Sequence, residues 1–536
     1  FENIQGTPIG YWLSDNAINI FSNNKPLGTI ASPSAGLQTG ENNRFLKYFF
    51  EINYNRIGLS NKFVRYNKAG GFRRWYGLNE HVILWEKDGS QLKETGKAVF
   101  RNSDKYFKES VSWGLISTGL LNVRYYSSEF VFDNVAPSII IENDLLYILG
   151  LLNSKVAGYF LSVLNPTISF QVGNISGIPV CEAIKDNVNS KVEEAVKISS
   201  EDWNSHELSY DFSINPLLRI KGQDIEETFD LYKQYWQKKL FQLHLCEEEI
   251  NLLFIDIYNL RKEIKPDVSL KDITILQEEL DDKELIKLNK KLIRNSQTFF
   301  VQNYKEVNLP FVPSEIISQF ISYSVGCMLG RYSLDKQGLI VANQAETLQD
   351  YLHKIDKTDR ECSFLPDFDN IIPVLENEWF EDDIVGKFYH FLKVTFSEKD
   401  FNKNLAFIEE QIGKDIRRYF IKDFYYDHIK RYKKRPIYWM YSSPKGSFNV
   451  LIYMHRYTPD TVSNILNKYL KEFIGKLNTR KEHLERIKET GSASDKSKAI
   501  KESDNIQKML VELHEYERDI LYPLATERIE IDLDDG

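Results

Sequence analysis

Residues 36–44 form the first stretch whose side chains could contact a nucleic acid. Two glycines, Gly36 and Gly40, allow tight backbone turns. The side chains able to bond to base edges or phosphates are Gln38, Thr39, Asn42, Asn43 and Arg44. On composition alone an ordinary polar loop is the better interpretation. The DNA-contact hypothesis for this stretch therefore depends on the resemblance described below.

Residues 61–76 form a second candidate, because five cations occur there without one acid. The cations are Lys62, Arg65, Lys68, Arg73 and Arg74, and the aromatic residues among them include Trp75 and Tyr76. Cations neutralise phosphates, arginine reads guanine, and aromatic rings stack on exposed bases. We therefore expect these cations to contact DNA rather than to pair internally. The alternative, a solvated loop anchored by buried aromatics, stays open for each residue.

A third basic stretch lies at residues 431–447. It contains Lys433, Lys434 and Arg435, followed by Lys445 and Ser447. Its Lys-Gly-Ser order is not the Gly-Lys-Ser order of a P-loop, so we reject nucleoside triphosphate binding. A second DNA-backbone patch is the functional interpretation, and a charged helix end is the alternative.

Two further motifs are similar to catalytic loops but lack the residues that the chemistry needs. The loop of Asn165, Pro166, Thr167 and Ile168 lacks the second proline and the aromatic ring of the Asn-Pro-Pro-Tyr/Phe loop that holds a flipped adenine. Around Asp367, a glutamate occupies the position where a magnesium-dependent nuclease core has lysine. We therefore predict a structural loop and an acidic surface loop, with no catalytic residue, cofactor-binding residue or metal ligand in this chain.

Composition excludes several function classes. The formal net charge of −9 excludes a generic basic DNA-coating protein, so any nucleic-acid surface must be a local patch. The four cysteines are scattered without a CxxC pair, which argues against a zinc site and for a reducing, cytoplasmic setting. No apolar run reaches membrane-spanning length. The chain begins with phenylalanine, so we expect it to be a piece of a longer protein.

The elements that must position these residues divide the 536-residue chain into four predicted parts. Residues 1–184 are predicted to form an α/β domain, with strand-like runs at 82–85, 111–113 and 130–132. The stretch 147–180 closes it with a helix, a break at Asn165 and a short strand. Residues 185–302 are predicted to form a helical spacer domain and 303–460 a mixed, mainly helical domain, in which a helical stretch from residue 401 leads into strand-like segments. Residues 461–536 are predicted to form an antiparallel hairpin of two amphipathic helices around a loop at 491–495, followed by a tail. We assign its apolar stripes to intramolecular core rather than to a dimer seam; they are Leu466, Leu470, Phe473 and Leu477 on the first helix and Ile506, Leu510, Leu513 and Tyr516 on the second.

The amino-acid sequences of four stretches resemble those of a known family. LNPTISFQVGNISGIPV (164–180), AGLQTGENNRFLKYFFEI (35–52), FRRWYGLNEHVILWEKDG (72–89) and residues 412–462 occur in the order found in the BREX phage-defence adenine-specific DNA methyltransferases, the PglX family. The resemblance implies that residues 1–184 are a DNA target-recognition domain. It also implies that the catalytic loop and the S-adenosylmethionine pocket lie upstream, outside this chain. Implied partners are double-stranded DNA, other BREX proteins and the upstream methyltransferase domain in the same polypeptide.

The alternative interpretation is a non-catalytic specificity or scaffold protein that works with a separate methyltransferase. The upstream reading frame separates the two, because only the first interpretation requires a fused Asn-Pro-Pro-Tyr or Asn-Pro-Pro-Phe motif. A third possibility, a nuclease, requires metal-dependent cleavage by this chain alone.

Overall fold

A computed structural model describes residues 13–117, 119–165, 167–295 and 307–535. The described residues form two compact units. The first unit contains the described residues of 1–49, 55–212 and 230–312, and the second contains those of 50–54, 213–229 and 313–536. The four-part division predicted from the sequence stays a prediction. The predictions that concern Pro166 and a domain start at residue 303 fall outside the described residues.

Helices dominate both units. In chain order they are α1 (Asp15–Asn23), α2 (Leu27–Ile30), α3 (Asn42–Phe45), α4 (Glu86–Glu94), α5 (Leu145–Asn153), α6 (Lys155–Leu164), α7 (Val172–Ser176), α8 (Asp186–Trp203), α9 (Pro216–Arg219), α10 (Ile225–Ile257), α11 (Asp282–Asn295), α12 (Pro313–Met328), α13 (Leu348–Ile355), α14 (Ile384–Phe396), α15 (Phe401–Ile412), α16 (Ile416–Tyr419), α17 (Tyr425–Arg431), α18 (Thr461–Asn464), α19 (Lys471–Thr490), α20 (Ala493–Tyr516) and α21 (Tyr522–Glu527). Short π-helical turns follow α16, α18 and α20.

The strands are short and form several small sheets. They are β1 (Lys25–Pro26), β2 (Ser32–Ser34), β3 (Leu46–Tyr48), β4 (Phe63–Asn67), β5 (His81–Leu84), β6 (Ser110–Trp113), β7 (Val123–Tyr126), β8 (Phe130–Phe132), β9 (Ser138–Ile140), β10 (Pro179–Val180), β11 (Ile372–Pro373), β12 (Tyr438–Ser442) and β13 (Asn449–Tyr453). The sheet orders are β2-β9-β6-β7, β3-β5-β4-β8, β1-β10 and β11-β13-β12. Pairing is antiparallel except between β4 and β8. Strands β5, β6 and β8 confirm the three predicted strand-like runs.

The core of the first unit holds the loop 36–44 at both ends. Strand β4 is buried along its whole length, as is typical of a strand covered on both faces. Val64 of β4, Ile83 of β5 and Val131 of β8 belong to one hydrophobic cluster. The same cluster includes Leu37 and Phe45, each 0% exposed. Most of the residues between Leu37 and Phe45 are exposed, and the loop is therefore anchored in the core at both ends.

The closing stretch 147–180 differs from its prediction in two respects. Its apolar part is two helices, α5 and α6, which meet at an angle of 70° around Ser154, the N-cap of α6. Before the short strand it contains a further helix, α7, that the sequence does not predict, because Asn174 Oδ1 accepts a hydrogen bond from Gln171 N (3.0 Å) and starts a turn. The strand is therefore reduced to β10. In the described ranges, no single helix is long and apolar enough to cross a membrane. Helices α5 and α6 reach the required length and apolar composition only when they are taken together, as a bent pair.

The second unit contains a β-hairpin and several core helices. Strands β12 and β13 pair in register from Tyr438 with Tyr453 to Ser442 with Asn449. Helix α12 is buried from Ile316 to Met328. The predicted passage from helical to strand-like chain after residue 401 is confirmed by α15–α17 followed by β12 and β13.

The last long helices, α19 and α20, share one hydrophobic core with the β-hairpin of β12 and β13. The two apolar stripes predicted there are both buried in a single hydrophobic cluster, which includes Leu466, Leu470, Phe473, Leu477, Ile506, Leu510, Leu513 and Tyr516. The assignment of the stripe to intramolecular core is therefore confirmed. The connection is shorter than predicted, because the Ser492 side chain accepts from Asp495 N and the next helix begins at Ala493.

Candidate nucleic-acid interface

The loop 36–44 presents polar side chains next to a close packing contact. A Cβ on Gly36 would lie 1.9 Å from Phe132 O, so only glycine lets the chain approach β8 this closely. Gln38, Asn42, Asn43 and Arg44 are exposed, whereas Thr39 is buried. The Thr39 hydroxyl bonds to Asn42 Oδ1 and so holds the turn together. Four of the five predicted side chains of this loop are therefore accessible, and Thr39 has a structural role.

A second segment, residues 97–105, lies along this loop and was not among the predicted sites. Gln38 and Val99 exchange both backbone hydrogen bonds, at 3.0 and 2.8 Å. The neighbouring contacts are the Lys97–Glu41 ion pair, Asn102 Nδ2 to Ala35 O (2.9 Å), and Lys105 Nζ to the hydroxyls of Ser32 and Ser34 (2.6 Å each). The sequence carried one signal for it, since cations recur at every fourth residue from Lys93 to Lys105.

The basic run 61–76 is largely internal. Arg73 and Arg74 are 5% and 4% exposed. Arg73 Nη2 lies 2.7 Å from Asp202 Oδ2, at the end of α8, and Arg74 Nη1 lies 2.5 Å from Glu247 Oε2 of α10. The prediction that these cations would not pair internally is therefore wrong, because distant segments supply the acids that the run itself lacks.

Burial and the adjacent guanidinium act in opposite directions on the pKa of each buried carboxyl group. Burial raises the pKa of Asp202 and of Glu247, and the adjacent guanidinium of Arg73 or Arg74 opposes that shift. Each carboxylate therefore depends on its arginine for charge compensation. Trp75 belongs to the same structure, since it is 0% exposed and its Nε1 donates to Glu247 Oε1 at 2.6 Å. Residues 73–75 thus join the β-rich part of the first unit to α8 and α10.

The other members of the run also have protein partners. Arg65, 8% exposed, lies over the rings of Phe130 and Tyr210 and pairs with Glu129 at 2.9 Å. Lys68 pairs with Asp133. Lys62 is half-buried, with its Nζ 5.7 Å from the centre of the Phe63 ring. The hydroxyl of Tyr76 accepts from Asn79 Nδ2 at 3.3 Å. DNA contact by Lys62, Arg65, Lys68 and Tyr76 stays a prediction that requires these partners to be exchanged for phosphate or base.

The third basic stretch lies in the second unit and is mostly exposed. Lys433 and Lys434 follow the end of α17 in left-handed conformations, with φ of 55° and 63°. Arg435 lies 3.5 Å from Glu51 and is 56% exposed. Lys445 is exposed at the turn between β12 and β13. Both the patch and the charged-helix-end interpretations remain compatible with this placement.

A buried carboxylate holds the turn that carries Lys445. Glu512 of α20 accepts from Ser443 Oγ (2.6 Å), Lys445 N (2.7 Å) and Ser447 Oγ (2.5 Å). Burial by itself raises the pKa of Glu512, but these donors lower it below its usual value. The predicted site residue Ser447 therefore has a structural partner, and the backbone of Lys445 is fixed while its side chain points to solvent.

The Asn165 loop does not fit a methyl-transfer site that uses S-adenosylmethionine. Asn165 Nδ2 donates to Ser169 O at 2.6 Å, and its Oδ1 accepts from Thr167 Oγ1 at 2.7 Å. Both ends of the amide are thus used within the loop. Where the catalytic loop would have a stacking aromatic ring, Ile168 is 60% exposed. In the described ranges, no group of three or more His, Cys, Asp or Glu side chains could hold a metal ion.

Comparison with known proteins shows which proteins this chain is similar to. No family model matches the chain. It is 34% identical over 568 residues to the adenine-specific methyltransferase BrxX of Escherichia coli O9:H4 (strain HS) and 32% identical over 572 residues to the adenine-specific methyltransferase PglX of Lacticaseibacillus casei (strain Zhang). Each match covers 100% of this chain, which spans 44% of the length of the relative. The resemblance to BREX adenine-specific methyltransferases inferred from the sequence is thereby confirmed along the whole chain.

Proposed function

We propose that this chain is the DNA-recognition portion of a site-specific adenine DNA methyltransferase of a BREX anti-phage defence system. The complete enzyme transfers a methyl group from S-adenosylmethionine to the exocyclic amine of an adenine that has been flipped out of the duplex. The observation that carries the proposal is the match of the whole chain to a 44% portion of two adenine-specific methyltransferases. The internally bonded amide of Asn165 supports a catalytic loop located elsewhere in the polypeptide.

The DNA contact is assigned to exposed polar and cationic side chains. In the first unit these are Gln38, Asn42, Asn43 and Arg44. In the second unit they are Lys433, Lys434, Arg435 and Lys445, which we assign to the DNA backbone. Arg73, Arg74 and Trp75 are withdrawn from the proposed contact set, because their polar groups are already paired in the interior.

The proposed architecture is a recognition domain followed by mainly helical domains that end in an antiparallel helical hairpin. It is supported by the connection of only two residues between α19 and α20. An ion pair between them, from Arg480 Nε to Glu502 Oε1 at 2.7 Å, also supports it. Proposed partners are duplex DNA, the upstream methyltransferase domain and other BREX proteins, in the cytoplasm.

Two measurements test the proposal. The isolated chain should bind duplex DNA with an affinity that falls with salt, by roughly 0.9 in log–log slope for each phosphate contact. Incubated with labelled S-adenosylmethionine and plasmid, it should transfer no methyl group above background. Robust transfer would show that Asn165 belongs to a catalytic loop. Methylation-sensitive sequencing of cells with the complete gene, compared with a strain that lacks it, should reveal one marked adenine motif.

The alternative function, a non-catalytic specificity or scaffold protein, predicts the same DNA binding. It differs in the complete reading frame, which would then contain no Asn-Pro-Pro-Tyr or Asn-Pro-Pro-Phe motif upstream of this chain. A frame that contains the motif and loses adenine marking when its asparagine is replaced supports the fused enzyme.

A further inference from the structure

Residues 35–41 and 97–102 of the first unit form an irregular antiparallel ribbon, here called the ribbon. The Gln38–Val99 bridge is its centre. The side-chain contacts on either side keep the same register, with Asn102 opposite Ala35 and Lys97 opposite Gly40 and Glu41. Gly40 has φ of +74°, and a Cβ there would lie 2.8 Å from Lys97 Cβ, so a glycine is needed beside this lysine.

Side chains alternate between the two faces of the ribbon. On one segment, Ala98 and Phe100 pack against the hydrophobic core, while Lys97, Val99 and Arg101 are exposed. Leu37 and Thr39 of the other segment are buried, and Gln38 and Gly40 are exposed. The period of two is that of extended strands. The outer face therefore carries Lys97, Arg101 and Gln38 together, around the small apolar surface of Val99.

We infer that this ribbon enters a groove of the target duplex, with Arg101 and Gln38 reading base edges, and with Lys97 and the nearby Lys105, just beyond the ribbon, contacting phosphates. The inference rests on the proposed function and extends it by naming the reading element. A major groove about 12 Å wide admits a two-stranded β-ribbon. Arginine pairs with guanine and glutamine with adenine through bidentate hydrogen bonds, and lysine acts as a point charge on phosphate.

In the free protein these side chains bond to acceptors that DNA phosphates or base edges can replace. Arg101 bonds to a neutral acceptor, Asn134 Oδ1, and Lys105 bonds to two hydroxyls. Among the residues that the structure describes, Lys97 is the one of these cations with an acidic partner, and that acid, Glu41, also lies 3.7 Å from Arg44. Lys97 lowers the pKa of Glu41, which therefore stays charged at neutral pH. Glu41 thus opposes the approach of phosphate, so its removal should strengthen binding.

The test measures binding of the whole chain to two synthetic duplexes by fluorescence anisotropy over a salt series. One duplex contains the adenine motif found by sequencing, and the other has it scrambled. Lys97→Ala with Lys105→Ala should flatten the log–log salt slope by about two units on both duplexes. Arg101→Ala should reduce discrimination between them by roughly 5- to 150-fold, and Arg101→Lys should restore affinity but not discrimination. Glu41→Gln should tighten binding to both.

A matched control removes two exposed cations from α11, Lys283 and Lys287, and should change neither slope nor discrimination. The substituted side chains are exposed, except those of Lys105 and Glu41, which are half-buried, and unchanged urea unfolding midpoints verify that each variant folds. If the wild-type chain binds duplex DNA and the ribbon variants behave like the control, the ribbon inference is overturned while the proposed function stands. If the wild-type chain binds neither duplex at low salt, both are overturned.

Discussion

The buried pair of Arg74 and Glu247 gives the most direct test of the internal role of residues 73–75. Their side chains are 4% and 0% exposed, and the charged atoms are 2.5 Å apart. Removing one partner of a buried ion pair leaves the other charge uncompensated, which typically costs about 3–5 kcal/mol. We therefore expect Arg74→Met to lower the free energy of unfolding by about 3–5 kcal/mol.

A double variant separates charge compensation from packing. Arg74→Met with Glu247→Leu removes both charges and retains apolar volume, a replacement that is often neutral. Trp75 Nε1 then loses its acceptor, at a cost of about 1–3 kcal/mol. The double variant should therefore be more stable than Arg74→Met and less stable than the wild type. Urea denaturation followed by tryptophan fluorescence and circular dichroism measures all three.

An exposed arginine provides the control for this experiment. Arg44, with a side chain 59% exposed, should change the unfolding free energy by no more than about 0.5 kcal/mol when replaced by methionine. The reasoning fails if Arg74→Met unfolds at the wild-type urea concentration and also flattens the salt slope of duplex binding by about one unit. That pair of results would place the guanidinium on DNA.

The remaining predictions concern stability. Asn165→Ala should lower the melting temperature of the complete enzyme but leave its methylation activity at permissive temperature; loss of methylation with normal DNA binding would contradict this. Burial by itself lowers the pKa of His206, but Glu279, 2.6 Å away, raises it to about 10. The stabilisation that the pair of His206 and Glu279 provides is complete below pH about 6.5 and is lost as pH rises to about 10. Urea unfolding midpoints measured across this pH range should fall in the wild type and fall less in His206→Gln. Burial lowers the pKa of His455 to about 3, so its NMR signals should stay those of a neutral ring where an exposed histidine is charged.

The local sequence was sufficient for several elements. Short runs rich in β-branched and aromatic residues predicted β5, β6 and β8, because such runs favour a strand without reference to distant residues. Helical periodicity placed the stripes that include Leu470 and Leu510, whose burial in one cluster follows from the same period. The missing proline and aromatic ring near Asn165 likewise predicted a structural loop.

What the sequence could not determine was which distant groups meet. Arg73 and Arg74 lie in a run without acids, yet their carboxylate partners come from 129 and 173 residues further along the chain. A local charge count cannot include them, so the sequence alone indicates a DNA-contacting surface for this run. The exposed face of the ribbon likewise arises only when residues 35–41 pair with 97–102, because each segment alone is an unremarkable polar stretch. Charge patterns within a window are set by the sequence, but their exposure is decided by tertiary packing, which supplies the counter-charges and removes the solvent.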